Sequence, residues 1–167
     1  MAGSPTSRSL TELRKLPLSR GLFAVVDADA PASVFTGRKW VASRSGTRWY
    51  AVRGKGETRE YLHRLVAGAG LGQHVDHINR DTLDCRRANL RTCTHQQNTW
   101  NQDGRQRAGR FKGTTPHKGR WAAQITVNRR RLWLGLFPTE AAAARAYNAA
   151  AQHHFGPYAR LNVISHI

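Results

Sequence analysis

Three stretches with a two-residue period, followed by one Ala-rich stretch with a cap and a stop, restrict the last third of this chain. Phe111 to Thr115, Arg120 to Val127 and Arg130 to Phe137 read as strands, with turns at His117-Lys118-Gly119 and Asn128-Arg129. Thr139 is a good N-cap for a helix running to about Phe155, where Gly156-Pro157 stops it. Side chains alternate between the faces of a strand. Trp121, Ala123, Ile125 and Val127 therefore share one face, and Leu132, Leu134 and Leu136 share another. These are the expected buried faces, packed on the helix through an Ala143, Ala146 and Ala150 stripe with Tyr147 as the large filler. The opposite face then carries Arg120, Gln124, Thr126, Arg131 and Trp133. Such donors suit phosphates and base edges, and a small sheet can enter the major groove.

Charge points the same way. The 167 residues hold 27 Lys and Arg against 10 Asp and Glu, a net charge of +17. An excess of that size calls for a polyanion, and nucleic acid is the first choice. The excess is uneven: residues 104–167 hold eleven Lys and Arg against one acid, Glu140, whereas residues 21–103 hold twelve against eight. No apolar run approaches the ~18 residues of a membrane span. No lipidation signal stands out, and the N-terminus lacks the apolar core of a signal peptide. The expectation is no membrane partner and a place in the cytosol or nucleoid of a bacterial or phage-infected cell.

The acids gather around a second feature, His74 to Asn101, HVDHINRDTLDCRRANLRTCTHQQNTWN. Val75 to Ile78 reads as a short strand, and Asn79 to Asn89 is a loop of turn formers. Leu90 to Cys93 is a second short strand. Thr94, with Gln97 three residues later, forms a capping box that starts a helix. Asp76 and Asn98 can offer hard oxygen ligands to a divalent cation. His77 is a candidate base with a pKa near neutrality. Cys85 and Cys93 show no paired spacing, so no structural zinc is expected and both thiols should be reduced.

The pattern VDHIN, then D-x-R-x-x-NLR, then T-x-x-QN resembles the HNH endonucleases of phage and intron-homing type. The resemblance implies a ββα-metal finger in which Asp76 and Asn98 hold a divalent cation, Mg²⁺ with Mn²⁺ able to substitute. It also implies that His77 is the general base and that Asn89 holds the loop so that His77 is aimed at its water. Asn98 stands where other members have His, which makes this the HNN variant. The C-terminal stretch, with RWAAQI, LWLGLF, its Ala-rich helix and closing FG, resembles the plant ethylene-response-factor (apetala-two) domain. That resemblance implies DNA contact by the sheet through Lys112, Arg120, Gln124, Thr126, Arg131 and Trp133. The first hairpin, Thr114 to Lys118, departs from the plant pattern, so the plant target sequence does not carry over.

The remaining chain supports these two modules. Residues 1–20 read as a basic flexible arm, with a short helix possible near Leu10–Leu16. Leu22 to Val26, Trp40 to Arg44 and Arg48 to Arg53 read as strands, the last two around a Ser45-Gly46-Thr47 turn. Tyr61 to Ala67 leads from strand into short helix before Gly68 to Gly72, and His63 and Arg64 there could face a phosphate or simply pack the corner. The expected class is α+β: a small N-terminal sheet plus the finger over 21–102, a linker at 103–109, then a three-stranded antiparallel sheet on one helix over 110–162. Seven linker residues extend to at most about 25 Å, which would let a monomer nick one strand beside its recognition site. The reading is a metal-dependent DNA endonuclease. Its alternative is a non-catalytic DNA-binding or transcription regulator using the C-terminal sheet, and intact Asp76 and His77 favour the enzyme.

Overall fold

Short hairpins make up the first half of the chain in the computed structural model, which describes residues 12–102 and 110–164. β1 (Leu13–Pro17) pairs antiparallel with β2 (Phe23–Asp27), and α1 (Ala32–Phe35) follows. β3 (Val41–Ser45), β4 (Arg48–Arg53) and β5 (Glu60–Tyr61) form an antiparallel sheet in that order. The β3–β4 turn closes on Gly46 at φ 59°, the left-handed conformation that a two-residue hairpin loop favours. α2 (Leu62–Val66) leads to the two-stranded finger, β6 (His74–His77) and β7 (Leu90–Cys93).

The apolar residues of these hairpins meet in one core of Ala24, Val26, Val34, Trp40, Ala51, Leu62, Val66, Val75, Cys85 and Leu90. The expected arm or helix before residue 20 is corrected for its described part. Leu13–Pro17 is a strand because its backbone pairs with Phe23–Asp27 while Leu16 packs against the core. Residues 1–11 lie outside the described part. The 79–89 loop is also fastened to this hairpin. Val25 N donates to Leu83 O at 2.9 Å, Cys85 N donates to Val25 O at 2.8 Å, and Arg87 N donates to Asp27 Oδ2 at 2.7 Å.

The chain divides into two compact units, one through Cys93 and one from Thr94. The second holds α3 (His95–Trp100), then β8 (Thr114–His117), β9 (Arg120–Val127) and β10 (Arg130–Phe137) in the order β10-β9-β8, and α4 (Glu140–Phe155). The expected linker, 103–109, lies outside the described residues. The β9–β10 turn uses Asn128 and Arg129, both at positive φ (49° and 65°), which matches the twist of a tight hairpin. Thr139 Oγ1 accepts from Ala142 N at 3.1 Å to start α4, and Gly156 at φ 52° ends it.

Three details differ from the sequence reading. The first strand starts at Thr114 rather than Phe111, because Gly113 turns the chain at φ 80° and lets the Tyr147 ring lie against its backbone. A bulge between Trp133 and Gly135 shifts the β10 register, so Leu136 stands opposite Ala122 rather than on the line of Leu132. Leu136, and Leu132 ahead of the bulge, are not core residues, at 36% and 37% exposed, while Leu134 packs against the core. On α4 the buried line is Ala143, Tyr147, Ala151 and Phe155, four residues apart, with Ala144 beside it, and Ala146 and Ala150 at its margin. Among the described residues no helix is long and apolar enough to cross a membrane.

Candidate functional site

Pairing of β6 with β7 sets the surroundings of Asp76 and His77. Asp76 stands opposite Arg91, and His77 opposite Leu90. The buried Asp76 carboxylate accepts through Oδ2 from Arg91 Nε at 2.9 Å and Nη2 at 2.5 Å. That ion pair fixes the carboxylate before anything binds to it. Arg91 was missed in the sequence, although two four-residue strands closing on one loop place it across from Asp76.

Asn89 closes the loop behind His77. Its Oδ1 accepts from Asn79 N at 2.9 Å, its Nδ2 donates to Asp84 O at 2.8 Å, and its own carbonyl accepts from Ile78 N at 2.9 Å. One buried side chain thus ties both ends of the turn that follows His77. The Asp84 carboxylate accepts from Asn79 Nδ2 at 2.8 Å and pairs with Arg86 at 2.6 Å. The Arg86 hydrogen bond is the main reason that the Asp84 carboxyl is held below its ordinary value.

His77 lies in a cluster of rings that spacing alone did not reveal. The His63 ring centroid is 4.9 Å from that of His77, and Tyr50 is 5.7 Å from His63 and 6.4 Å from His77. Tyr61 packs against His63 at 5.5 Å. Burial lowers His77 from 6.5 to about 4, against the opposing pull of Asp76, Asp81 and Asp84. Burial, with smaller contributions from the charges of His77 and Arg64, lowers His63 to about 3. Both imidazoles are therefore neutral at pH 7; the near-neutral value expected for His77 is corrected downward, because burial disfavours its charged form and makes it a weaker base than an exposed imidazole. Arg64 has a different task, donating to Gln73 O at 2.5 Å and Gly70 O at 2.8 Å to close the glycine-rich loop.

Asn98 lies on α3, in the second unit, whereas Asp76, His77 and Asn89 lie in the first. The expected capping box starts that helix: Gln97 N donates to Thr94 Oγ1 at 3.2 Å and Thr94 N donates to Gln97 Oε1 at 2.9 Å. A carboxylate and a carboxamide are oxygen donors suited to a hard divalent cation that keeps several waters. Among the described residues no group of three or more His, Cys, Asp or Glu gathers. The Cys85 thiol is fully buried and pushed up to about 12, chiefly by burial and then by the nearby Asp84 and Asp81 charges.

In the second unit, register brings four of the six expected sheet residues together. Arg131 stands opposite Thr126 and Trp133 opposite Gln124, and His117 of β8 meets the Trp133 ring edge-on at 6.4 Å. Trp133 is 59% exposed, a large apolar surface left on an otherwise polar face. Arg120, at the start of β9 opposite His117, donates to Leu136 O at 3.3 Å. Lys112 differs from the others: its Nζ donates to Trp100 O at 2.9 Å and Gln102 O at 2.5 Å.

Both constellations match known proteins. Residues 60–99 match the family model described as HNH endonuclease, so Tyr61, His63 and His77 of the ring cluster, the two strands of the finger and Asn98 fall inside that segment, and Tyr50 falls outside it. The chain joins this HNH segment to an AP2/ERF-type region. It is 28% identical over 148 residues to an uncharacterized HNH endonuclease of Acanthamoeba polyphaga mimivirus, covering 87% of this chain and 77% of that protein. It is 50% identical over 58 residues to an AP2/ERF and B3 domain-containing protein of Oryza sativa subsp. japonica, covering 34% of this chain and 16% of that protein. A match of 54% over 46 residues links it to the dehydration-responsive element-binding protein 2A of Arabidopsis thaliana, covering 26% of this chain and 14% of that protein. The chain thus spans about a sixth or less of the length of these plant relatives.

Proposed function

We propose that the chain is a metal-dependent endonuclease that hydrolyses phosphodiester bonds in double-stranded DNA, with the C-terminal sheet holding the duplex. The observation that carries this reading is His77, a buried neutral imidazole beside a carboxylate fixed by Arg91, on a turn tied by Asn89. In this role His77 takes a proton from the attacking water, and Asn89 keeps the imidazole from swinging away. Asp76 and Asn98 hold the divalent cation, Mg²⁺ with Mn²⁺ able to substitute. When bound, that cation offsets the charge on the scissile phosphate and the leaving oxygen. Arg131, Thr126, Gln124 and Trp133 face the duplex, supported by the basic excess of residues 104–167. One such site per chain makes a monomer a nicking enzyme.

The test is cleavage of supercoiled and linear duplex by the full chain with Mg²⁺, with and without EDTA. Nicked product that EDTA abolishes is expected. His77→Ala should slow cleavage by roughly two to four orders of magnitude with duplex binding retained. Equal cleavage by His77→Ala, or cleavage insensitive to EDTA, refutes the mechanism. Tight duplex binding with no cleavage in any divalent cation would make the protein a DNA-binding regulator instead.

A further inference from the structure

The helix that carries Asn98 is built into the unit that carries the sheet. Trp100, the last residue of α3, stacks on Phe155 of α4 with ring centroids 4.5 Å apart and planes 15° from parallel. It packs there against the core of Ile125, Tyr147, Ala151 and Phe155. At the hairpin tip, Gln96 Nε2 donates to Asn128 Oδ1 at 3.2 Å. Lys112 Nζ donates to the carbonyls of both Trp100 and Gln102, which closes the C-terminal end of α3. Lys112 is itself held, because its N–H donates to Asn162 Oδ1 at 2.6 Å and its carbonyl accepts from Asn162 Nδ2 at 3.0 Å. A helix of six residues does not persist alone in water. Its order depends on this packing and on the Thr94–Gln97 cap.

Gln102 and Lys112 are therefore held in direct contact from both sides of the 103–109 segment. A segment whose ends are joined cannot act as a tether, whatever its length. On the other side of α3, Thr94 alone separates it from β7. We infer that this clamp, Trp100 on Phe155 and Lys112 on the carbonyls of Trp100 and Gln102, makes α3 part of the sheet unit, so that the distance from Asn98 and the phosphate it serves to the DNA held by the sheet is not set by the length of 103–109. Trp100 and Lys112 are positioning residues, and Lys112 leaves the group of DNA-contacting side chains. The cutting part of this inference rests on the nuclease reading; the clamp itself does not.

The experiment uses the full chain with four residues, Gly-Ser-Gly-Ser, inserted between 106 and 107. Nick positions are mapped on both strands of an end-labelled duplex, and amide exchange is followed in α3 and α4. The insertion should leave the nick at the same nucleotide and α3 protection unchanged. Trp100→Ala and Lys112→Met, in the inserted chain, should each spread the nick over several nucleotides and lower α3 protection at least tenfold. The footprint should stay as in the parent, and α4 should lose less protection than α3. A nick that moves with the insertion alone, or α3 amides that lose protection on insertion alone, would overturn the inference. So would a sharp nick and full α3 protection in both substituted chains. If the chain cleaves nothing, the nuclease reading fails, and amide exchange still decides whether the clamp holds α3.

Discussion

Lowering the pH from 7 to 5 should destabilise the N-terminal unit through two buried rings. His63 and His77 have folded values lowered to about 3 and about 4, so both stay neutral throughout that interval. In the unfolded chain each gains a proton as the pH falls through about 6.5. Their contribution to stability is therefore complete above about 6.5, is lost as the pH falls, and stops changing once the folded values are passed. Between pH 7 and 5 the loss depends on the unfolded pKa alone, and comes to about 2 kcal/mol for each ring or about 4 kcal/mol for both. Asp84 contributes nothing in this window, because its loss begins only near its ordinary value of 3.8. Urea unfolding at the two pH values, followed by amide exchange in β4 and by the buried Trp40, reads the unit directly. A shift in midpoint of about 2 M is expected for a slope near 2 kcal/mol/M. His63→Phe keeps a ring in the cluster and should halve the shift. Equal midpoints at pH 7 and 5, or an undiminished shift in His63→Phe, would refute the assignment of two neutral buried imidazoles.

Other substitutions test separate parts of the structure. Arg91→Ala removes the guanidinium from the buried Asp76 carboxylate and should cost about 3–5 kcal/mol in urea unfolding, with Arg91→Lys recovering part of the loss. Gly113→Ala places a methyl group into the Tyr147 ring at φ 80° and should lower stability by about 2–4 kcal/mol, read as a lower thermal midpoint. Arg131→Ala should weaken duplex binding and reduce the slope of log affinity against log salt by about 0.9. Trp133→Ala should weaken binding with that slope unchanged, and Arg145→Ala, on the exposed side of α4, should bind like the parent.

Local pattern determined the elements of this protein. The two strands Arg120–Val127 and Arg130–Phe137, the Thr139 cap, the Gly156 stop and the Thr94–Gln97 box follow from alternation, turn chemistry and capping. Each of these acts within a few residues of chain, so each is present in the sequence itself. The finger's strand–loop–strand order was readable for the same reason, whereas the loop-holding place of Asn89 came from the family resemblance. Tertiary structure decided what those elements do to one another. The strand at Leu13–Pro17 exists because a partner strand and a core receive it, and its own residues would equally suit a helix or an arm. The bulge that moves Leu136 off the core line depends on the neighbouring strand, not on the leucines. His63 against His77, and Trp100 against Phe155, join residues far apart in sequence through packing that leaves no local mark. The same holds for Lys112, which the family resemblance placed among the DNA contacts and whose Nζ, in the folded chain, donates to the carbonyls of Trp100 and Gln102.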